Sequence, residues 1–185
     1  MVQSAKIVFF GGNANKRLCF FSDLEKTLPL RILMETNFDQ IVEQLLEAPY
    51  WVIDFLPMQV PQDSKGQFFA VEQYYLQEPQ HERLCHQFVD VLLKLNCYSD
   101  LFVSRDGGDE WLYPDPKMLE KWLTESLQNG HLCVLIDDGE ALITASGGDT
   151  NLTLYNPSPA LLELVRQLAT AAGLFLWQPS TDRNC

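Results

Sequence analysis

Positive charge is scarce in this chain. Over 185 residues, 13 Lys and Arg stand against 25 Asp and Glu, a formal net charge of −12 at pH 7. Binding to nucleic acid draws on clustered Lys and Arg that displace counterions from phosphates. An anionic membrane surface attracts the same clusters. Neither partner is expected here, and the charge favours a basic protein partner instead.

Long apolar runs are missing as well. None approaches the roughly 18 residues needed to cross a bilayer. The apolar stretch at residues 7–10 is closed by Gly11-Gly12-Asn13, which makes it too short for a signal peptide. Cys185 is the last residue, so the C-terminus does not spell a prenylation box. The 5 cysteines fall at irregular positions 19, 85, 97, 133 and 185, unlike the dense, paired cysteines of a secreted disulfide scaffold. Four of them sit in apolar runs, where a free thiol acts as a small hydrophobe. A reducing, cytoplasmic setting is expected.

Motifs that carry chemistry are few. Gly11-Gly12 follows an apolar stretch, but neither G-x-G-x-x-G nor G-x-x-x-x-G-K-[ST] is present, and an ordinary turn is the simpler reading. Ser146 lacks the G-x-S-x-G elbow. Only 3 histidines occur, and no H-E-x-x-H. Cys85 and His86 are adjacent, so on a helix their side chains diverge by about 100°. No cofactor signature is found, and the reading leans away from an enzyme.

What the chain has in quantity is apolar and aromatic residues: 46% hydrophobic, with 11 Phe, 6 Tyr and 4 Trp. That is enough for a folded core and too much for a disordered chain. Residues 5–10, 17–21 and 28–35 read as strands. Phe38, Ile41, Val42, Leu45 and Leu46 then recur at helical spacing, closed by Pro49. Residues 50–56 read as a strand, and 67–77, rich in Phe and Tyr, as a further strand. Leu84, Phe88, Val91, Leu92 and Leu95 mark a long helix to about residue 97. A short strand at 101–104 leads to a polar loop over 105–113.

Asp115-Pro116 opens the next helix, with Asp115 as cap and Pro116 in the first turn. It ends at Asn129-Gly130. Residues 131–136 and 140–145 flank Asp137-Asp138-Gly139, a hairpin signal. A strand at 151–155 follows, then a helix capped by Ser158 and ended by Gly173, then a strand at 174–177. The order shows no βαβ alternation. The expected fold is therefore α+β, a mixed, largely antiparallel sheet with about four covering helices. One domain is expected over residues 1–178, with 105–114 the best boundary between sub-halves 1–104 and 105–178. Residues 179–185 read as a disordered tail. Small acidic α+β proteins of this kind occur among bacterial accessory and toxin-neutralising proteins. That analogy is at the level of fold and carries no function.

Charge is unevenly placed. Residues 1–35 carry a net of +2 and residues 106–163 a net of −9. The acids gather in turns, and aromatic residues flank some of them. The candidate partner-binding surface is thus Asp106, Asp109, Glu110, Trp111, Tyr113, Asp149 and Tyr155, on a non-catalytic interaction module. Turns also favour Asp and Gly for conformational reasons alone.

Two further constellations deserve a test. Asp54 is a carboxylate inside an apolar strand, with Val52 and Leu56 at the same parity, so it reads as ion-paired, as exposed on a wet face of the strand, or as a pocket acid. Lys6, Arg17 and Arg31 are its candidate partners. With the acidic loops and a divalent metal, Asp54 would make a metal-assisted hydrolase-like enzyme, although the calcium-loop spacing is missing from Asp106-Gly107-Gly108-Asp109-Glu110. His81 with Cys85, and His131 with Cys133, are two pairs that each share a face and together would suit a tetrahedral zinc.

Overall fold

The computed structural model describes residues 38–61, 66–105, 110–137 and 139–179. Strands expected at 5–10, 17–21 and 28–35, and the tail beyond 179, lie outside the described residues. The element order is α1 (Phe38–Leu46), β1 (Tyr50–Asp54), α2 (Phe68–Tyr75), α3 (Gln80–Leu95), β2 (Leu101–Arg105), β3 (Trp111–Leu112), α4 (Pro116–Asn129), β4 (His131–Ile136), β5 (Ala141–Ser146), β6 (Asn151–Tyr155), α5 (Pro159–Ala171) and β7 (Phe175–Trp177). The fold is α+β, as the patterning implies.

The strands form one sheet in the order β3-β2-β4-β5-β6-β1-β7, and every neighbouring pair is antiparallel. β4, β5 and β6 make a meander. β1 comes early in the chain but inserts between β6 and β7, so the sheet crosses the 104/105 boundary.

Local chemistry explains the element ends. Asp115 Oδ1 accepts the amides of Lys117 (2.9 Å) and Met118 (3.0 Å) at the start of α4. Ser158 Oγ accepts the Leu161 amide at 3.2 Å. α5 closes in a Schellman arrangement: Leu174 N–H donates to the Ala169 carbonyl and Gly173 N–H to that of Thr170, with Gly173 at φ +79°, a backbone state glycine adopts freely. In the β4–β5 turn, Gly139 has φ +97°, and a Cβ there would meet Ile41 of α1 at 2.9 Å. That glycine therefore lets α1 sit directly on the hairpin.

Two expectations need correction. The segment at 67–77 is a helix, not a strand. Phe68, Glu72, Tyr75 and Leu76 are half-buried while Phe69, Ala70, Val71, Gln73 and Tyr74 are exposed, a spacing of four and then three or four that only a helix produces. Tyr75 stacks on Phe55 with ring centroids 4.6 Å apart. Aromatic content, a weak strand preference, misled where periodicity decides. The polar loop at 105–113 is shorter than expected: Arg105 ends β2, and Trp111–Leu112 pair back onto it. With α2 added, five helices rather than about four accompany the sheet among the described residues.

The sheet has two distinct faces. On one, Ile53, Val103, Val134, Ile136, Ile143 and Leu154 meet Leu84, Phe88 and Leu92 of α3, Leu119 and Leu123 of α4, and Val165 of α5. We call this the helical face. On the other, Leu135 and Leu142 join Phe38 and Leu45 of α1 in a second, smaller cluster, with Phe102, Trp111, Cys133 and Tyr155 against it. We call this the open face. No helix among the described residues is long and apolar enough to cross a membrane.

Candidate functional site

Alternation along β1 puts Trp51 and Ile53 on the helical face, and Tyr50, Val52 and Asp54 on the open one. Asp54 lies opposite Asn151, and Val52 opposite both Thr153 and Trp177. Beyond β1 the chain bends at residues 55–58. The result is a cleft of about 340 Å³ over the β6-β1-β7 end of the open face, lined by Asp54 and Asn151 at its base, by Tyr50, Phe68 and Trp177, and by Met58 at its mouth.

Asp54 is only 8% exposed. Its Oδ1 accepts the Leu56 amide at 3.0 Å, while the Leu56 carbonyl accepts Trp177 Nε1–H at 3.1 Å. One residue thus pins both the carboxylate and the indole. Among the described residues no Lys, Arg or His forms an ion pair with Asp54. The candidate partners Lys6, Arg17 and Arg31 lie outside the described residues. Burial pushes the Asp54 carboxyl above its ordinary value, and the negative charge of Glu72 pushes the same way, against the amides of Leu56 and Phe55.

The sign of that shift gives a stability prediction. The folded state holds the Asp54 proton more tightly than the unfolded chain does. Ionisation as pH rises through the raised value therefore costs stability. Asp54→Asn keeps the acceptor for the Leu56 amide and cannot ionise. Its melting temperature is expected to exceed that of the parent at pH 7, and the difference to shrink as pH falls through about 4 and to vanish by roughly pH 3, where the unfolded carboxyl is also protonated. Calorimetry across that pH range checks this. A variant less stable at pH 7 would mean that the carboxylate is compensated in the fold.

The acidic turns are placed differently. Asp106 and Asp109 lie outside the described residues. Glu110 and Asp149 are exposed at the same end of the sheet, three strand spacings apart, about 15 Å. Asp137 lies at the opposite end, where its carboxylate accepts from Ser99 Oγ (2.9 Å) and the Asp100 amide (3.0 Å). The described acids of the turns therefore do not form one cluster. Their aromatic neighbours do share the open face. Trp111 is half-buried against Phe38 at 5.4 Å, and its indole N–H is buried with no hydrogen-bond partner among the described residues. Tyr113 is exposed, lies 5.5 Å from Phe102 and donates to Asp100 Oδ1 at 3.2 Å. Burial and then the charge of Asp100 raise its phenol pKa. Tyr155 pairs with Tyr50 at 5.6 Å.

The sheet divides the two zinc-like pairs. His81 and Cys85 lie on α3 against the helical face, with Cys85 Sγ 3.6 Å from His81 Nε2. Cys133 is on the open face and belongs to the smaller cluster. His131 shares its parity and lies 3.2 Å from Ser146 Oγ. The four residues do not converge, and no group of three or more His, Cys, Asp or Glu among the described residues could hold a metal.

The His81–Cys85 contact extends to Glu78, whose Oε1 is 3.8 Å from His81 Nδ1. The order resembles a nucleophile, base and orienting acid. Its electrostatics are wrong for that role. Burial, then the charge of Glu78, pushes the Cys85 thiol up to about 11, whereas a reactive cysteine needs a depressed value. The thiol instead points toward the Leu127 carbonyl at 3.9 Å, inside the core.

Comparison with protein-family models, with curated proteins and with solved structures finds no match. The site must be read from its own chemistry. Asp54 was visible in the sequence as a charge at an apolar parity. Asn151, Trp177 and Phe68 were not: Asn151 and Trp177 reach the cleft through long-range strand pairing of β6 and β7 with β1, and Phe68 through the packing of α2. Each looks like an ordinary strand or helix residue in its own segment.

Proposed function

We propose that the protein is a non-catalytic interaction module that recognises a basic protein through its open face and the flanking helix α1. One observation carries this reading: the described basic side chains are segregated. Arg83 and Lys94 are on α3, Lys117 and Lys121 on α4, and Arg166 on α5. Arg105 reaches Glu125 of α4 at 3.3 Å. All six therefore serve the helical face. The stretches 38–61 and 131–165, which supply α1, β1, β4, β5 and β6, contain no Lys or Arg, and Glu43 of α1 and Glu47 just after it are exposed. A surface of one sign steers a partner of the opposite sign and repels wrong ones. Exposed Tyr50 and Tyr113 on this face are of the type enriched at interfaces. The metal-assisted alternative has less support, since among the described residues a single carboxylate lines the cleft.

The test uses an arginine-rich peptide as probe. Binding is expected to weaken steeply with salt. Neutralising Glu43, Glu47 and Glu140 to Gln is expected to weaken it roughly two- to fivefold per charge. Neutralising Asp90 and Glu163, on the helical side, is expected to leave it nearly unchanged. Equal losses from the two sets, or binding insensitive to salt, would overturn the reading.

A further inference from the structure

We propose that the cleft over β6, β1 and β7 is a binding site for an organic ammonium cation, with Asp54 as the counter-ion and Tyr50, Phe68 and Trp177 as the walls for its apolar body. This goes beyond the acidic-face reading and does not depend on it, because a small cation fills the cleft whether or not a protein docks on the surface.

A carboxylate removed from water needs a partner, and an amide hydrogen bond compensates it only in part. Asp54 has that bond from Leu56 and, among the described residues, no cation. Its charged neighbour is Glu72, of the same sign. The described residues supply no counter-charge, and a cation bound in the cleft would supply it. A divalent metal fits poorly: hard cations take six or more oxygens, and here one carboxylate and the amides of Asn151 and Gln59 are the charged or amide side chains of the lining.

The remaining lining is aromatic and apolar. Aromatic rings hold ammonium groups through their quadrupole and hold hydrocarbon by burial. Trp177 is fixed for this role, because its N–H is already spent on the Leu56 carbonyl at 3.1 Å. The cleft volume, about 340 Å³, falls in the range of small-molecule sites, roughly 300–1,000 Å³.

Full-length protein titrated with benzylammonium, followed by calorimetry and by amide shifts in NMR, tests this. Saturable binding in the millimolar range is expected of so small a ligand. Benzyl alcohol, nearly the same shape without the charge, should bind about tenfold more weakly or worse. Asp54→Asn should lose benzylammonium by a similar factor and leave benzyl alcohol unaffected. N-acetyl-lysine amide then separates the two sources of such a cation. Competition with benzylammonium assigns the site to lysine side chains, and exclusion assigns it to free amines; either outcome sustains the proposal. Equal affinity for the alcohol and the ammonium, an undiminished Asp54→Asn variant, or no saturable binding would overturn it. The alcohol comparison needs no variant, so it stands even if Asp54→Asn folds poorly. Loss of arginine-rich peptide binding with retention of benzylammonium, or the reverse, tells the failure of one reading from the failure of the other.

Discussion

Phe88→Ala is expected to lower the free energy of unfolding by about 3–5 kcal/mol, read from urea denaturation followed by circular dichroism. Phe88 is 2% exposed and among the largest fully buried side chains in the described chain. It sits at the middle of α3, the helix that packs against both α4 and α5 over the helical face. Three elements would have to move together to fill the space its ring leaves. A site that cannot collapse pays close to the full cavity cost. Against a total stability of about 5–15 kcal/mol for a domain of ordinary kind, the loss is large. The midpoint should fall with little change in slope, since the unfolded surface is the same. A loss below about 1 kcal/mol would mean that α3 is not the hub of this layer.

The residues that carry that layer were legible without coordinates. Leu84, Phe88, Val91, Leu92 and Leu95 announce their shared face by spacing alone, and all five are buried. The caps at Asp115 and Ser158 and the stop at Gly173 were readable for the same reason: each satisfies backbone groups within a few residues of itself. The β4–β5 hairpin follows from a turn whose glycine takes φ +97°. Local chemistry of this kind is written in local sequence.

Two kinds of feature were not legible. α2 has no buried residue, so no clean apolar stripe marks its period, and its aromatic residues pointed to a strand. Strand order was hidden too, because nothing near Tyr50–Asp54 signals that its neighbours will be residues 151–155 and 175–177. The cleft inherits that limit. Asp54 stood out as one charge at an apolar parity, while its lining is assembled by topology. The acidic turns show the opposite error. Their charge was plain in the sequence, but antiparallel strands send successive turns to opposite ends of a sheet, which divides Asp137 from Glu110 and Asp149.

Leu135→Ala is expected to cost about 2–3 kcal/mol, the lower part of the range for such truncations, and to act on α1 more than on the whole fold. Leu135 is fully buried on the open face, but among the described residues its cluster has only Phe38, Leu45 and Leu142 as further buried members. α1 is nine residues long, too short to be stable apart from its packing. The gap left by Leu135 can be relieved by α1 shifting, which limits the cavity cost and loosens the helix. Cleavage by a glutamate-specific protease reports this directly, because Glu43 and Glu47 lie exposed in and just after α1. In Leu135→Ala, cutting there should accelerate more than the global stability loss accounts for. In Phe88→Ala it should accelerate only in proportion to global unfolding, since that change leaves the open-face cluster intact. Proportional acceleration in both variants would show that α1 leaves the sheet only when the whole fold opens. In that case the face bearing Trp111 and Tyr155 would be covered as firmly as the helical one.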